Sequence, residues 1–169
     1  MNLHIVILAA GQGKRMYSNT PKVLHQIAGK PMLVRVVETA QQLNPDAIHV
    51  IYGHGGEQIK KSLPDLPVHW VHQAEQLGTG HAVLQALPNI PPHAQVLVLS
   101  ADVPLIQVNT LRSFIECSKT ADTHQSVLAL LVAYLENPTG LGRIVRDAQG
   151  KVSNIVEEKD ANEQEKKIK

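Results

Sequence analysis

The residues with the clearest chemical potential form a short stretch near the N-terminus, Gly11-Gln12-Gly13-Lys14-Arg15. Two glycines allow backbone N–H groups to turn toward one point and let a phosphate approach closely. Lys14 and Arg15 add positive charge where the charge of a polyphosphate would lie. The stretch predicts an anion-binding loop, but a G-x-G pair by itself is equally compatible with an ordinary tight turn.

Two common phosphate-binding loops do not match this stretch. The dinucleotide-binding fingerprint requires a third glycine where Met16 stands. The P-loop requires four residues between its first glycine and a Gly-Lys-Ser/Thr sequence, and no Ser or Thr follows Lys14. The loop therefore belongs to neither class.

Alternating strands and helices position this loop. Residues 3–10 are nearly continuous in apolar side chains and rich in β-branched ones, which predicts a central parallel strand buried on both faces. Further strands are predicted at residues 47–52, 68–71, 96–99 and 127–133, and helices within residues 33–43, 57–63, 78–87 and 110–119. The alternation indicates an α/β, Rossmann-like three-layer fold, with a mostly parallel sheet and helices on both faces.

The C-terminal part has a different pattern. Residues 143–146 and 151–156 flank a turn that ends at Gly150, which predicts a C-terminal hairpin. Residues 157–169 include nine charged side chains in thirteen, typical of a solvated helix or a frayed end.

Composition excludes several classes of protein. The 169 residues have a net charge of +1, so no strong overall electrostatic attraction to nucleic acid or to an anionic membrane is expected. No apolar segment is long enough to cross a membrane, and a cytoplasmic location is expected. Cys117 is the only cysteine, which excludes a disulfide framework, and we expect it to be a small apolar residue in a helix. His69 and His72 lack a third ligand nearby, so a zinc site is not expected.

Three motifs follow one another in the first 32 residues: LAAGQGKRM at residues 8–16, PKVL at 21–24 and GKPM at 29–32. In this order they closely resemble the sugar-1-phosphate nucleotidyltransferases, also called nucleotide-sugar pyrophosphorylases. Later segments, above all QAEQLGTGHA at residues 73–82, narrow the resemblance to the bacterial N-acetylglucosamine-1-phosphate uridyltransferases. The resemblance spans essentially the whole chain and implies a nucleotide-diphospho-sugar transferase fold.

The resemblance also implies a reaction. Enzymes of this family join UTP to N-acetylglucosamine 1-phosphate with Mg²⁺, giving UDP-N-acetylglucosamine and pyrophosphate. Two polyanions must meet, so the protein's part is mostly positioning and charge neutralisation. Residue by residue, the resemblance assigns nucleotide binding to Leu8, Ala9, Ala10, Gly11, Gly13, Lys22, Gln73, Gly78 and Thr79.

Several of these positions have individual implied roles. Arg15 would stabilise charge on the departing pyrophosphate, and Lys22 would contact phosphate near the reacting centre. Gln73 would bind the uracil edge. Asp102, directly after an apolar strand, would be a ligand of Mg²⁺, which prefers carboxylate and phosphate oxygens. The resemblance assigns Gly142 and Glu157 to sugar binding. Taken singly, most of these residues could equally be ordinary surface or turn residues, and His81 is expected only to pack or cap after the G-T-G.

The chain departs from the family pattern in two ways. Ser100-Ala101 replaces the Tyr-Gly that usually precedes the metal-binding aspartate. Ala101 is expected to place a Cβ near the ligand and Ser100 to remove an aromatic wall, which preserves the site but alters its affinity. In the family the domain continues past the position of Lys169, adding a sugar-binding asparagine, a second Mg²⁺ ligand and an acetyltransferase β-helix that holds a homotrimer. Residues 1–169 are therefore expected to be an incomplete nucleotidyltransferase domain, monomeric, without acetyltransferase activity, which binds uridine nucleotide but turns over poorly.

Two alternative functions stay open. The same chemistry could use another base or another sugar phosphate, although Gln73 and the G-T-G favour uracil. The chain could also be a nucleotide-binding module without catalysis.

Overall fold

A computed structural model describes residues 2–11, 16–18, 20–53, 55–119 and 128–169. The chain divides into two compact units, residues 1–122 and 123–169. The described strands are β1 (Leu3–Leu8), β2 (Gln26–Ile27), β3 (Lys30–Pro31), β4 (Ala47–Tyr52), β5 (His69–His72), β6 (Gln95–Ser100), β7 (Arg143–Arg146) and β8 (Val152–Val156), and the α-helices are α1 (Met32–Gln41), α2 (Glu57–Ser62), α3 (Thr79–Ala86) and α4 (Val108–Lys119).

A four-stranded parallel sheet organises the first unit, with strand order β5-β4-β1-β6. Val6 of β1 is in register with His49 of β4 on one side and with Val98 of β6 on the other. β1 is therefore one of the two inner strands, and its residues 3–7 are all buried. This confirms the predicted central strand, whose continuous apolar sequence suits burial on both faces.

Helices cover both faces of this sheet. On one face, α1 packs Leu33 and Val36 against Ile5 and Ile7, and α2 and α4 join the same hydrophobic core. On the other face, α3 packs Ala82 and Ala86 against β1 and β4. The predicted three-layer arrangement is confirmed in the described part of the chain, although α4 begins two residues before the predicted start.

A small antiparallel pair, β2 and β3, went unpredicted because each strand has only two residues. Its turn places both Ala28 and Gly29 at positive φ, +47° and +74°. Such a turn suits a tight two-residue hairpin. The pair leads directly into α1, which begins at Met32.

The second unit contains the predicted C-terminal hairpin, formed by β7 and β8 in antiparallel pairing. Arg143 is buried there, and its Nη2 donates to Glu158 Oε2 at 2.7 Å. The highly charged residues 157–169 contain a single 3₁₀ turn, Glu165–Lys167, and no α-helix. A strand predicted at residues 127–133 is wrong for residues 128–133, which have no sheet partner and leave Leu128 83 % exposed. Val127 lies outside the described residues. An apolar run forms a strand only where a neighbour satisfies its backbone hydrogen bonds.

Across the described residues, none of the helices is both long enough and apolar enough to cross a lipid bilayer.

Candidate active site

A cleft of about 310 Å³ opens where β1, β5 and β6 end, at the carboxyl edge of the parallel sheet. Ligands of open α/β folds bind outside this edge, because the loops there diverge. The cleft brings together nine of the predicted site residues: Leu8, Ala9, Ala10, Gly11, Lys22, Gln73, Gly78, Thr79 and Asp102. Gly13 and Arg15 lie outside the described residues, so their roles stay predictions.

The floor of the cleft is the end of β1, held from both sides. Ala9 N donates to Ile51 O at 2.8 Å, and Ala101 N donates to Leu8 O at 3.0 Å. These bonds extend the sheet beyond β1 and fix the backbone of Leu8 and Ala9. A ligand at this edge would therefore meet a rigid backbone rather than a loose loop.

A lysine and an aspartate face each other in the cleft. Lys22 begins a 3₁₀ turn after the loop, and Asp102 follows the end of β6. Lys22 Nζ lies 2.7 Å from Asp102 Oδ2, although the two residues are 80 positions apart. Both side chains are partly exposed, and such pairs contribute only about 0–1 kcal/mol to stability. Their charges are thus accessible to a ligand at little cost to the fold.

The side of the cleft comes from Gln73 and the start of α3. Gln73 follows β5, and its backbone N donates to Tyr52 O at 2.8 Å. Its side chain is almost fully buried, with Nε2 donating to Gly78 O at 3.3 Å. Gly78 has φ of +100° and ψ of −179°, a conformation that strongly favours glycine. Glycine at position 78 therefore allows the backbone conformation in which the Gly78 carbonyl faces Gln73.

Sequence reasoning missed Gln76, which also lines the cleft. Its Nε2 donates to Ala10 O at 2.9 Å, tying the segment after β5 to the end of β1. A Cβ on Gly53 would lie only 2.5 Å from that nitrogen, so the absence of a side chain at Gly53 makes room for the bridge. Gln76 stands in the QAEQLGTGHA string, which was a usable signal.

The expected position of the Ala101 Cβ, near the ligand, is wrong, whereas the expected change in affinity stays a prediction. Ser100 lines the cleft, but Ala101 is fully buried in the hydrophobic core beside Leu111 and Ile115. Adjacent residues at the end of a strand point to opposite faces, which sends the Ala101 methyl group away from the ligand side. A Cβ at this position fills core space instead of meeting the ligand.

A divalent cation would find one protein carboxylate in the described part of the cleft, that of Asp102. Nowhere among the described residues do three or more His, Cys, Asp or Glu side chains form a group that could hold a metal ion. Mg²⁺ usually keeps several waters and binds through one or two carboxylates plus substrate phosphates. One carboxylate in a cleft sized for a phosphate ligand fits that donor set.

The predicted sugar-binding residues lie together in the second unit. A Cβ on Gly142 would lie 3.9 Å from Glu157 Oε2 and 3.5 Å from Val156 O. The β7–β8 hairpin produces this proximity, since Gly142 precedes one strand and Glu157 follows the other. Their role in sugar binding stays a prediction.

Three histidines form a row across β1, β4 and β5, toward the amino ends of the strands. The His4 and His49 rings stack with centroids 5.4 Å apart, and His49 and His69 are stacked at the same distance. His4 Nδ1 lies 3.1 Å from His49 Nε2. Burial lowers the pKa of His49, and positive charge on His4 or His69 would lower it further.

Comparison with known proteins agrees with this geometry. Residues 5–148 match the family model described as MobA-like NTP transferase domain. The chain is 79 % identical over all its 169 residues to the Bifunctional protein GlmU of Legionella pneumophila (strain Corby), covering 37 % of that protein. It is 54 % identical over its full length to the protein of the same name from Coxiella burnetii (strain CbuK_Q154), covering 36 %. The chain thus spans little more than a third of the length of these relatives.

Solved structures give the fold. A UDP-glucose pyrophosphorylase complexed with UDP-glucose matches with a TM-score of 0.67 at 19 % identity, covering 97 % of this chain and 71 % of that one. The predicted Rossmann-like nucleotide-diphospho-sugar transferase fold is confirmed. Because the family model matches most of this chain, the chain belongs to the family of MobA-like NTP transferase domains.

Proposed function

We propose that the chain binds UTP in the cleft and transfers its uridylyl group to N-acetylglucosamine 1-phosphate, releasing pyrophosphate. The observation that carries this is the Lys22–Asp102 pair, 2.7 Å apart at the carboxyl edge of the sheet, beside a rigid backbone floor and a buried amide. A cation and a metal-binding carboxylate at one point suit a polyphosphate better than a neutral ligand.

In this reaction an oxygen of the sugar phosphate attacks the α-phosphorus of UTP. The bond from that phosphorus to the bridging oxygen breaks, and pyrophosphate leaves with the electron pair. The backbone from Leu8 to Gly11 and the side chain of Gln73 would hold the nucleoside. Lys22 would neutralise phosphate charge near the reacting centre, and Arg15 would do so on the leaving group. Positioning and charge neutralisation dominate the catalysis of phosphoryl-type transfers.

Mg²⁺ would be held by Asp102, and when bound it would neutralise phosphate charge and orient the phosphate oxygens. Lys22 Nζ contacts Oδ2 of the same carboxylate, so a cation bound at that oxygen would displace the lysine toward phosphate. Such an exchange needs only a rotation of exposed side chains.

The motif resemblance supports uracil and N-acetylglucosamine as the base and the sugar. The fold neighbour, a UDP-glucose pyrophosphorylase complexed with UDP-glucose, binds a product of a related class. A cytoplasmic location and the absence of nucleic-acid partners belong to the same proposal, because UTP is a cytoplasmic metabolite and the net charge is +1.

The test measures pyrophosphate release from UTP, CTP, ATP and GTP with Mg²⁺ and a panel of sugar 1-phosphates. We expect UTP with N-acetylglucosamine 1-phosphate to be preferred, and Lys22→Met to lower kcat/KM by about 10²-fold. Lys30→Met is a matched control, because Lys30 also forms an exposed ion pair, with Glu38 at 2.7 Å, but does not line the cleft.

Each other outcome points elsewhere. UTP binding without pyrophosphate release would identify a nucleotide-binding module, and preference for another sugar phosphate would keep the chemistry but change the substrate. Failure to bind any nucleoside triphosphate would overturn the proposal.

A further inference from the structure

A line of three polar side chains runs away from the cleft behind Gln73. Gln73 Nε2 lies 3.0 Å from His81 Nδ1, and His81 Nε2 lies 3.1 Å from Gln85 Nε2. Gln85 Nε2 also lies 3.3 Å from the backbone oxygen of His81. His81 and Gln85 lie one turn apart on α3, whose first residue, Thr79, lines the cleft.

The position of the proton on the His81 ring determines the orientation of the neighbouring amides. A neutral imidazole has one N–H donor and one acceptor nitrogen, so it cannot accept from both amides. Either Gln73 donates to Nδ1 and the proton of the ring sits on Nε2, or the ring donates from Nδ1 to the Gln73 oxygen. The second arrangement would reverse the Gln73 amide.

Two observations select the first arrangement. The Gly78 carbonyl, 3.3 Å from Gln73 Nε2, can only accept, so a reversed amide would set oxygen against oxygen there. Gln73 is only 2 % exposed, whereas Gln85 is half-buried and can turn its amide toward water. A mismatched hydrogen bond is more costly at the buried amide. His81 Nε2 therefore carries the proton, and the half-buried Gln85 amide turns toward water, giving up its bond to the His81 carbonyl.

In this arrangement both hydrogens on Gln73 Nε2 are committed, one to Gly78 and one to His81. The amide oxygen is the end that remains for a ligand in the cleft, where it can only accept. Uracil presents an N–H at position 3 of its ring, whereas cytosine presents a bare nitrogen at the same position. An accepting oxygen would hydrogen-bond uracil and repel cytosine.

We propose that His81 is a positioning residue that sets base specificity, by holding the Gln73 amide with its oxygen toward the nucleotide. This inference rests on the proposed function, in which Gln73 meets the base. It adds a residue beyond the cleft as the source of the preference for uracil over cytosine.

The test compares equilibrium affinities for UTP and CTP in wild type, His81→Leu and His81→Asn. Leucine removes the acceptor, so the UTP-to-CTP affinity ratio should fall about tenfold, which corresponds to one hydrogen bond with a buried amide. Asparagine can place its oxygen near the position of Nδ1, so it should restore most of the ratio. His69→Leu, at the amino end of β5, is a matched control that should keep the wild-type ratio.

A second measurement does not depend on the fold of any variant. ¹⁵N NMR of the wild-type imidazole distinguishes a protonated nitrogen from a bare one, and we expect His81 to carry its proton on Nε2. A proton on Nδ1 would overturn the inference. Equal loss of UTP and CTP affinity in a folded His81→Leu protein would overturn it too, because that result indicates a merely structural role.

The outcomes separate this inference from the proposed function. If wild type binds no UTP, the proposed function fails. If wild type prefers UTP and folded His81→Leu keeps the same preference, only the role of His81 fails.

Discussion

The two ends of the four-stranded sheet both collect polar side chains, but with different results. At the carboxyl end, Lys22 and Asp102 lie partly exposed in an open cleft. Toward the amino end, His4 and His49 are buried within the strands, stacked on each other, with His69 completing the row. The first group lies open to a ligand, whereas the rings of the second group stack on one another.

The difference teaches that residue type is a poor guide to function without position. Histidine is the more common catalytic and metal-binding residue, and the chain has nine of them. Yet parallel strands splay their connecting loops apart at the carboxyl edge, where a crevice forms. Inside the sheet, side chains of neighbouring strands pack closely against one another, and His4 and His49 are buried among them.

Replacing one aspartate at each end of the sheet tests whether the chemistry belongs to the carboxyl end. Asp102→Asn should lower the rate of pyrophosphate release by about 10²–10³-fold, because it removes the charged metal-binding group. Its free energy of unfolding should change by less than about 1 kcal/mol, because the lost ion pair is exposed. Steady-state kinetics and urea unfolding measure the two effects.

Asp46 is the control at the amino end, where its Oδ2 accepts a hydrogen bond from Leu3 N at 2.8 Å. Asp46→Asn should leave the rate unchanged and lower stability by about 0.5–1.5 kcal/mol. A wild-type rate in Asp102→Asn, or a large loss of rate in Asp46→Asn, would contradict the assignment of chemistry to the carboxyl end.

A second prediction concerns the tight packing of the loops at the carboxyl end. A Cβ on Gly56 would lie 2.4 Å from Tyr52 Cδ2, 2.8 Å from Tyr52 Cβ and 2.9 Å from Gly53 O. Gly56→Ala should therefore cost about 1–3 kcal/mol in the free energy of unfolding, measured by urea titration. Nucleotide affinity should fall as well, because Tyr52 O anchors the backbone of Gln73.

Gly80→Ala is the matched glycine substitution. Gly80 lies in α3 with nothing within 4 Å of the added Cβ, and alanine favours helix. Stability should stay the same or rise. Equal behaviour of the two alanine variants would show that the loop after β4 is less tightly packed than the structure indicates.

The smallest expected effect is a pH dependence of thermal stability, which arises from His49 near the amino end of the sheet. The folded-state pKa of His49 is lowered, so below about pH 6.5 the unfolded chain takes up a proton at His49 that the folded chain does not. The melting temperature should therefore fall as pH drops from 7.5 through 6.5, and continue falling until the lowered folded-state pKa is passed. Thermal unfolding between pH 8 and pH 5 measures this.

His49→Gln should flatten that slope, because it removes the group whose pKa differs between the two states. His72→Gln, outside the row, should keep the wild-type slope. If the slope survives in His49→Gln, the acid sensitivity comes from elsewhere in the chain and the histidine row is not its source.

Local patterns predicted most of the first unit. The apolar run of residues 3–10 and the helical spacing around Leu33 and Val36 each correspond to an observed element. These predictions worked because burial on both faces of a sheet, or on one face of a helix, leaves a periodic trace in the sequence. Residues 128–133 carry an equally apolar trace but are not a strand, because a strand also needs a neighbour.

The candidate site was predictable only in part. Motif order indicated Lys22, Gln73 and Asp102, and all three line the cleft. Gln76 and the Gln73–His81 contact were missed although all three residues stand in the QAEQLGTGHA string, because a motif does not show which side chains meet in space. The Cβ of Ala101 was expected near the ligand because the resemblance, and not the alternation that continues from Leu97 and Leu99, was used to place it.

The amino-acid sequence by itself determined the order of strands and helices, the glycine-rich loop and the family to which the chain belongs. Each of these is written in local spacing and in motifs of adjacent residues. Only the tertiary structure decided that Lys22 meets Asp102 across 80 positions, and that the rings of His4, His49 and His69 stack in a row across three strands. Such pairings follow from strand order and register, which long-range packing sets and no local pattern encodes.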